Sequence, residues 1–153
     1  MQKLIDALLG QRKLKEYQVG EAKVMMQTLT AGEQAEISRV TGNRGLDYMS
    51  QIETSKIPIL ARSMVSINNV PIDGQPEVRE KLRNDPSMAV AQAVEQVLSD
   101  MDWSMVEYIF TYCYSDLVQE RGKELDSLKN SSRGQSADSS GKSAQNSAQL
   151  QPA

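Results

Sequence analysis

Histidine is absent from the 153 residues, and Cys113 is the only cysteine. The first absence removes the commonest general base and metal ligand together. The second excludes an intrachain disulfide and fits a reducing compartment. No zinc-ligand spacing, Ser-His-Asp set or Cys-His pair can be assembled from what is left. Glycine-rich phosphate loops are missing too: Gly42-Asn43-Arg44-Gly45 has too few glycines and no Lys-Ser/Thr after it, so it reads as a turn. No apolar run approaches the roughly 18 residues of a membrane span. The strongest, Ile57 to Ile67, is broken by Pro58, Arg62, Ser63 and Ser66. The opening Met1-Gln2-Lys3-Leu4-Ile5-Asp6 places an aspartate where the apolar core of a signal peptide would lie, so none is expected. An excess of positive charge is also lacking. Seventeen Lys and Arg against 20 Asp and Glu give a net charge of −3, which argues against a nucleic-acid partner. The basic run Arg12-Lys13-Leu14-Lys15 is followed by Glu16 and reads as a solvated segment.

Carboxylates remain as candidates for acid–base work, in the pairs Asp47 with Glu53 and Asp100 with Asp102. Both pairs fall at helix starts or on polar faces, where capping and solvation account for them. Cys113 sits on an apolar helical stripe and reads as a buried, inert thiol. The expectation is a non-enzymatic protein with no catalytic residues, no cofactor and no metal.

What is present is a globular composition, 39% apolar and 24% charged. It predicts a soluble globular protein with one core, and the helical spacing and caps along the chain predict a mainly α domain, a compact bundle of five or six helices. Residues 1–16 form an amphipathic arm, with Leu4, Ile5, Leu8 and Leu9 at helical spacing and Gly10 as a stop. Residues 17–129 form the helical domain. Residues 130–153, almost all Ser, Gln, Ala, Gly and Asn, form a disordered tail that cannot bury enough apolar area to offset its chain entropy.

Within the domain, Tyr17 to Leu29 fits strand or helix, with extended chain preferred, so a small β element is expected there. Thr30-Ala31-Gly32-Glu33 is a capping box that opens a helix ending at Thr41-Gly42-Asn43. Leu46, Met49, Ile52, Lys56, Leu60, Met64 and Ile67 then recur every three or four residues. This predicts one long helix, or two joined at Pro58 with a kink near Ile57. Lys56 is the one polar member of that face. Asn68-Asn69-Val70-Pro71-Ile72-Asp73-Gly74 should end the helix and reverse the chain. Pro76 opens a short helix to about Leu82, and Asp85-Pro86 opens another that carries Val90, Val94, Val97 and Leu98. Asp102 caps a last helix from Trp103 to about Glu124. Trp103, Val106, Phe110, Cys113 and Leu117 make one stripe of it and Met105, Ile109 and Tyr112 another, so burial on two sides is expected. The expected core is Trp103, Phe110, Leu117, Ile57, Leu60 and Met64. The eight methionines read as core fillers, with a peptide-binding groove as the alternative.

The series Leu29-Thr30-Ala31-Gly32-Glu33, then Lys56 before an apolar run ending Ile67-Asn68, then Tyr114-Ser115-Asp116-Leu117 in an aromatic-rich last helix, resembles the assembly chaperones of tailed bacteriophages. The baseplate hub assembly chaperones and the tail assembly chaperones that coat the tape measure protein are the nearest types, and the likeness covers residues 17 to 120. It implies binding rather than chemistry. The partner would be a phage tail protein, a tape measure or baseplate hub component, met in the host cell cytoplasm during assembly and not through nucleic acid or membrane. The residues expected to bind it are Leu4, Ile5, Leu8, Leu9, Met49 and Met64. A permanent component of the virion tail and a helical regulatory adaptor are the alternative readings. Limited proteolysis should remove residues after about Lys129 and leave the melting transition unchanged. A truncation there that abolishes cooperative unfolding would show that the tail packs.

Overall fold

The computed structural model describes residues 12–42 and 47–134. The chain falls into two units, residues 1–118 and 119–153. It is mainly helical, with one small four-stranded antiparallel sheet in the first unit.

The sheet has strands β1 (Leu14–Val19), β2 (Ala22–Gln27), β3 (Met64–Ile67) and β4 (Val70–Pro71), in that order. Gly20 joins the first hairpin with φ +61, and Val19 pairs with Ala22 across it. A positive φ at the first of two turn residues is the demand that glycine meets without a Cβ clash. The second hairpin turns on Asn68 (φ 51) and Asn69 (φ 66), with Ile67 paired to Val70. Two positive φ angles in a row mark the type I′ geometry, and Asn is among the few side chains that tolerate it. Asn68 also reaches β2: its Oδ1 accepts from the Lys23 amide at 2.9 Å.

This hairpin corrects the helical reading of Met64 to Ile67. The helix before it, α2 (Tyr48–Ser63), ends where the chain turns extended at Met64. The period of three to four and the period of two overlap at Met64, and the decisive partner is remote. Met64 pairs with Met26 and Ile67 with Val24, and the Ser63 hydroxyl donates to the Gln27 carbonyl at 2.7 Å. The β element near residues 17–29 is therefore half of a larger sheet. It begins at Leu14, inside the stretch expected to be arm.

Helix α1 (Ala31–Gly42) starts at the capping box. Thr30 N donates to Glu33 Oε1 at 2.9 Å and Glu33 N to Thr30 Oγ1 at 3.1 Å. Asp47 caps α2 by accepting from Ser50 N at 2.7 Å. The helix stays in one piece across Pro58, and Arg62 Nη1 donates to the Pro58 carbonyl at 3.0 Å. A short 3-10 turn (Ile72–Gly74) leads to α3 (Pro76–Asn84), with proline in the first turn as expected. Helix α4 (Val90–Ser99) begins later than expected. Asp85 does not cap it; its carboxylate accepts from Ser87 N and Oγ at 3.2 and 2.7 Å, closing a local Asx turn instead.

The last helix is built of three segments: α5 (Trp103–Tyr108), a π-helical stretch (Ile109–Tyr114) and α6 (Ser115–Gly134). Asp102 caps it through Ser104 N at 2.8 Å, as the sequence predicts. The π stretch was not expected, and the buried stripe also differs from the expected one. Bonds from i to i+5 widen the turn there. Val106, Ile109, Cys113 and Leu117 are buried in place of the expected series through Phe110. Phe110 is half-buried at the margin of the core, as is Ile57, and Trp103 is 50% exposed. Of the expected second stripe Ile109 is buried, while Met105 and Tyr112 are exposed, so burial on that side is only partial. The helix runs on to Gly134, which makes residues 130–134 helical where a disordered tail was expected. The rest of that tail, and residues 1–11 of the arm, lie outside the described residues. In the second unit Arg121 Nη1 lies 3.2 Å from Glu124 Oε2.

The core gathers the inner face of the sheet, Val24, Met26 and Met64, against Leu60, Val78, Val94, Leu98, Val106 and Leu117. Leu117 is fully buried, so Leu117→Ala should cost about 2–5 kcal/mol by urea unfolding. Phe110→Ala should cost less than that. Equal losses for the two would place Phe110 in the core after all.

Candidate functional site: an apolar groove

The inward residues of the first hairpin, Val19, Ala22 and Val24, form one wall of a cleft of about 260 Å³. Met64, Ile67 and Ile72 continue that wall. Val78 of α3, Val94, Val97 and Leu98 of α4, and then Met101, Met105 and Ile109 close the other side. Only two polar residues line it, Gln75 and Glu77. The Gln75 amide is spent on backbone, donating to the carbonyls of Val70 at 2.9 Å and Ile67 at 3.3 Å. At one end the cleft meets a polar trough that adds Glu80, Lys81, Asn84 and Asp100. Such a surface can take two or three apolar side chains, as the grooves that receive amphipathic segments do. It presents no nucleophile and no proton-transfer pair.

Of the residues expected to bind a partner, Met64 lines this groove from a nearly buried position. Met49 does not: it lies in the first turn of α2, 66% exposed, at the far end of that helix from Met64. Leu4, Ile5, Leu8 and Leu9 lie outside the described residues. The groove's other walls were missed, because α4 and the hairpin meet only through the fold. The methionines were the available signal. Met101 and Met105 line the groove and are partly exposed, whereas Met26 is wholly buried.

No protein-family model, curated protein or solved structure matches this chain.

The carboxylates considered for catalysis have structural partners. Hydrogen bonds from Ser50 hold Asp47 below its ordinary pKa, and those from Ser104 do the same for Asp102. Asp100 pairs with Lys81 at 3.6 Å and Glu53 with Lys56 at 3.0 Å. Burial, reinforced by the charge of Asp116, pushes the Cys113 thiol up, which leaves it protonated and unreactive. Among the described residues no three His, Cys, Asp or Glu side chains are grouped to hold a metal ion, and no helix is long and apolar enough to cross a membrane.

Lys56, the one polar residue on the apolar face of α2, proves to be a buried cation with its own enclosure. Its Nζ lies 2.9 and 2.8 Å from the two Glu107 oxygens, with the ring centroids of Phe110 at 5.3 Å and Trp103 at 5.7 Å. Burial disfavours the charge, but the hydrogen bonds and negative charge of Glu107 and Glu53 outweigh it, so the pKa stands above the ordinary lysine value of 10.5. A folded pKa raised above the unfolded one gives stability that is complete below the unfolded value and lost as pH rises through the folded value. Melting temperature should therefore fall as pH climbs past about 10.5, and the fall should be shallower in Lys56→Met. Identical alkaline profiles for the two proteins would remove Lys56 from the account.

Proposed function

We propose that this protein is a non-enzymatic assembly chaperone of a tailed bacteriophage. On this reading it is a compact helical bundle that holds an apolar segment of a tail protein, a tape measure or baseplate hub component, in the host cytoplasm. The carrying observation is the groove itself, an almost wholly apolar cleft walled by the hairpin and α4. The resemblance through Leu29–Glu33, Lys56–Asn69 and Tyr114–Leu117 supplies the class of partner. A chaperone of this kind shields an aggregation-prone segment by transient burial, and a groove holding two or three side chains suits brief, repeated contact better than permanent assembly.

Two measurements test this together. Pull-down from infected cells should recover a tail protein with the wild-type chain, and mass spectrometry of purified virions should find the chain missing. Its presence in virions at fixed stoichiometry would make it a structural component instead. Val97→Glu places a charge in the groove wall and should weaken capture of the tail protein at least tenfold, about 1.4 kcal/mol. If capture is undiminished in a Val97→Glu protein that still melts cooperatively, the groove is not the binding surface.

A further inference from the structure

Glu77 is the only charged residue that lines the groove. It stands in the first turn of α3, where the positive end of the helix dipole favours its negative form. The side chain is exposed in the free chain and, among the described residues, makes no hydrogen bond or ion pair. Glu80 follows one turn later on the same face, equally without a partner, and lines the polar trough that continues from the groove. That trough holds three carboxylates, Glu77, Glu80 and Asp100, against one ammonium, Lys81. Lys81 lies 3.6 Å from Asp100, which leaves the charges of Glu77 and Glu80 uncompensated. Arg79 and Arg83 share a separate hollow with Glu80 and line neither groove nor trough.

Whatever fills the groove covers Glu77 and takes water from its carboxylate. The wall offers nothing in exchange, because the Gln75 amide, the one other polar side chain in it, already donates to two backbone carbonyls. A carboxylate dehydrated without a partner is costly, so a wholly apolar occupant is disfavoured and an acidic one is repelled. We propose that the groove takes an apolar protein segment that carries lysine or arginine directly beside its apolar side chains, with the basic residue set over Glu77 and Glu80. Apolar contact supplies most of the affinity, and the two carboxylates select which segment enters. This occupant rests on the reading of the groove as the binding surface, and narrows it from any apolar segment to a basic one.

Two fluorescein-labelled amphipathic peptides of about 14 residues, with leucines three and four apart, serve as probes. One carries two lysines beside its last leucine, and the other carries two glutamates there. The full chain should bind the lysine peptide at least tenfold more tightly, about 1.4 kcal/mol, and the gap should close as salt rises from about 0.01 M to about 1 M. In the double variant Glu77→Gln, Glu80→Gln, which changes only exposed side chains and should melt as the wild type does, the gap should all but vanish. Val97→Gln spoils the apolar wall without adding charge, and should weaken the lysine peptide at least tenfold. Equal affinity for the two peptides, with both weakened by Val97→Gln, would leave the groove as the binding surface and overturn its selection of a basic segment. A lysine preference that survives in the double variant would overturn that selection too. Failure of both peptides to bind, or binding that Val97→Gln leaves unchanged, would overturn the groove reading itself and the selection with it.

Discussion

The last turn of α2 constrains everything around it. Ile59, Leu60, Ala61, Ser63 and Met64 are all buried, so the helix is enclosed almost all round just before it becomes a strand. An enclosed turn needs neighbours on every side, and polar groups supply their positions. Arg62 Nη1 holds Glu95 of α4 at 2.8 Å, and its Nη2 lies 3.6 Å from Glu36 of α1. The Ser63 hydroxyl fixes β2. One turn up, Lys56 fixes Glu107 of α5. These three polar residues lie within eight positions of one another, and between them they tie α1, α4, α5 and β2 to the same helix. Their heads are satisfied by remote partners, which is what lets them be buried without an unpaired charge.

The local signals that the sequence carries are those whose physics is itself local. The capping box at Thr30, the cap at Asp102, Pro76 in a first turn and the reversal of the chain at Asn68-Asn69 depend on a few neighbouring residues, and each was legible. Asp85 shows the limit of that rule. Its side chain had a choice between a helix N-terminus and the nearer Ser87, and the short path won. Strand β3 was not legible because its spacing at Met64 fits a helix equally well. Pairing with Val24 and Met26, some forty residues earlier, decided the matter.

Lys56 stood out in the sequence as a polar break in an apolar face, but its meaning required the last helix to pass alongside. The site followed the same division. Met64 was identified because it is apolar on an apolar face. The opposite wall, from Val94 to Met105, is brought to it only by folding. Met49 shares the sequence pattern of Met64 yet lies exposed at the other end of the helix, because spacing fixes a face of a helix and not which stretch of that face is covered.

The π stretch links the groove to the outer face of the last helix. A regular α-helix from Trp103 to Leu117 would carry its stripe through Phe110. In the structure Ile109 faces inward to line the groove, while Phe110 lies beside Lys56 and stacks against Tyr114 at 5.5 Å between centroids. The Ser115 hydroxyl donates back to the Phe110 carbonyl at 3.2 Å, five residues earlier, where the wide turn closes. Tyr108 and Tyr112, four residues apart, lie side by side on the outside. Residues of one continuous helix thus divide between groove and surface: Ile109 walls the groove, while Tyr108 and Tyr112 remain exposed.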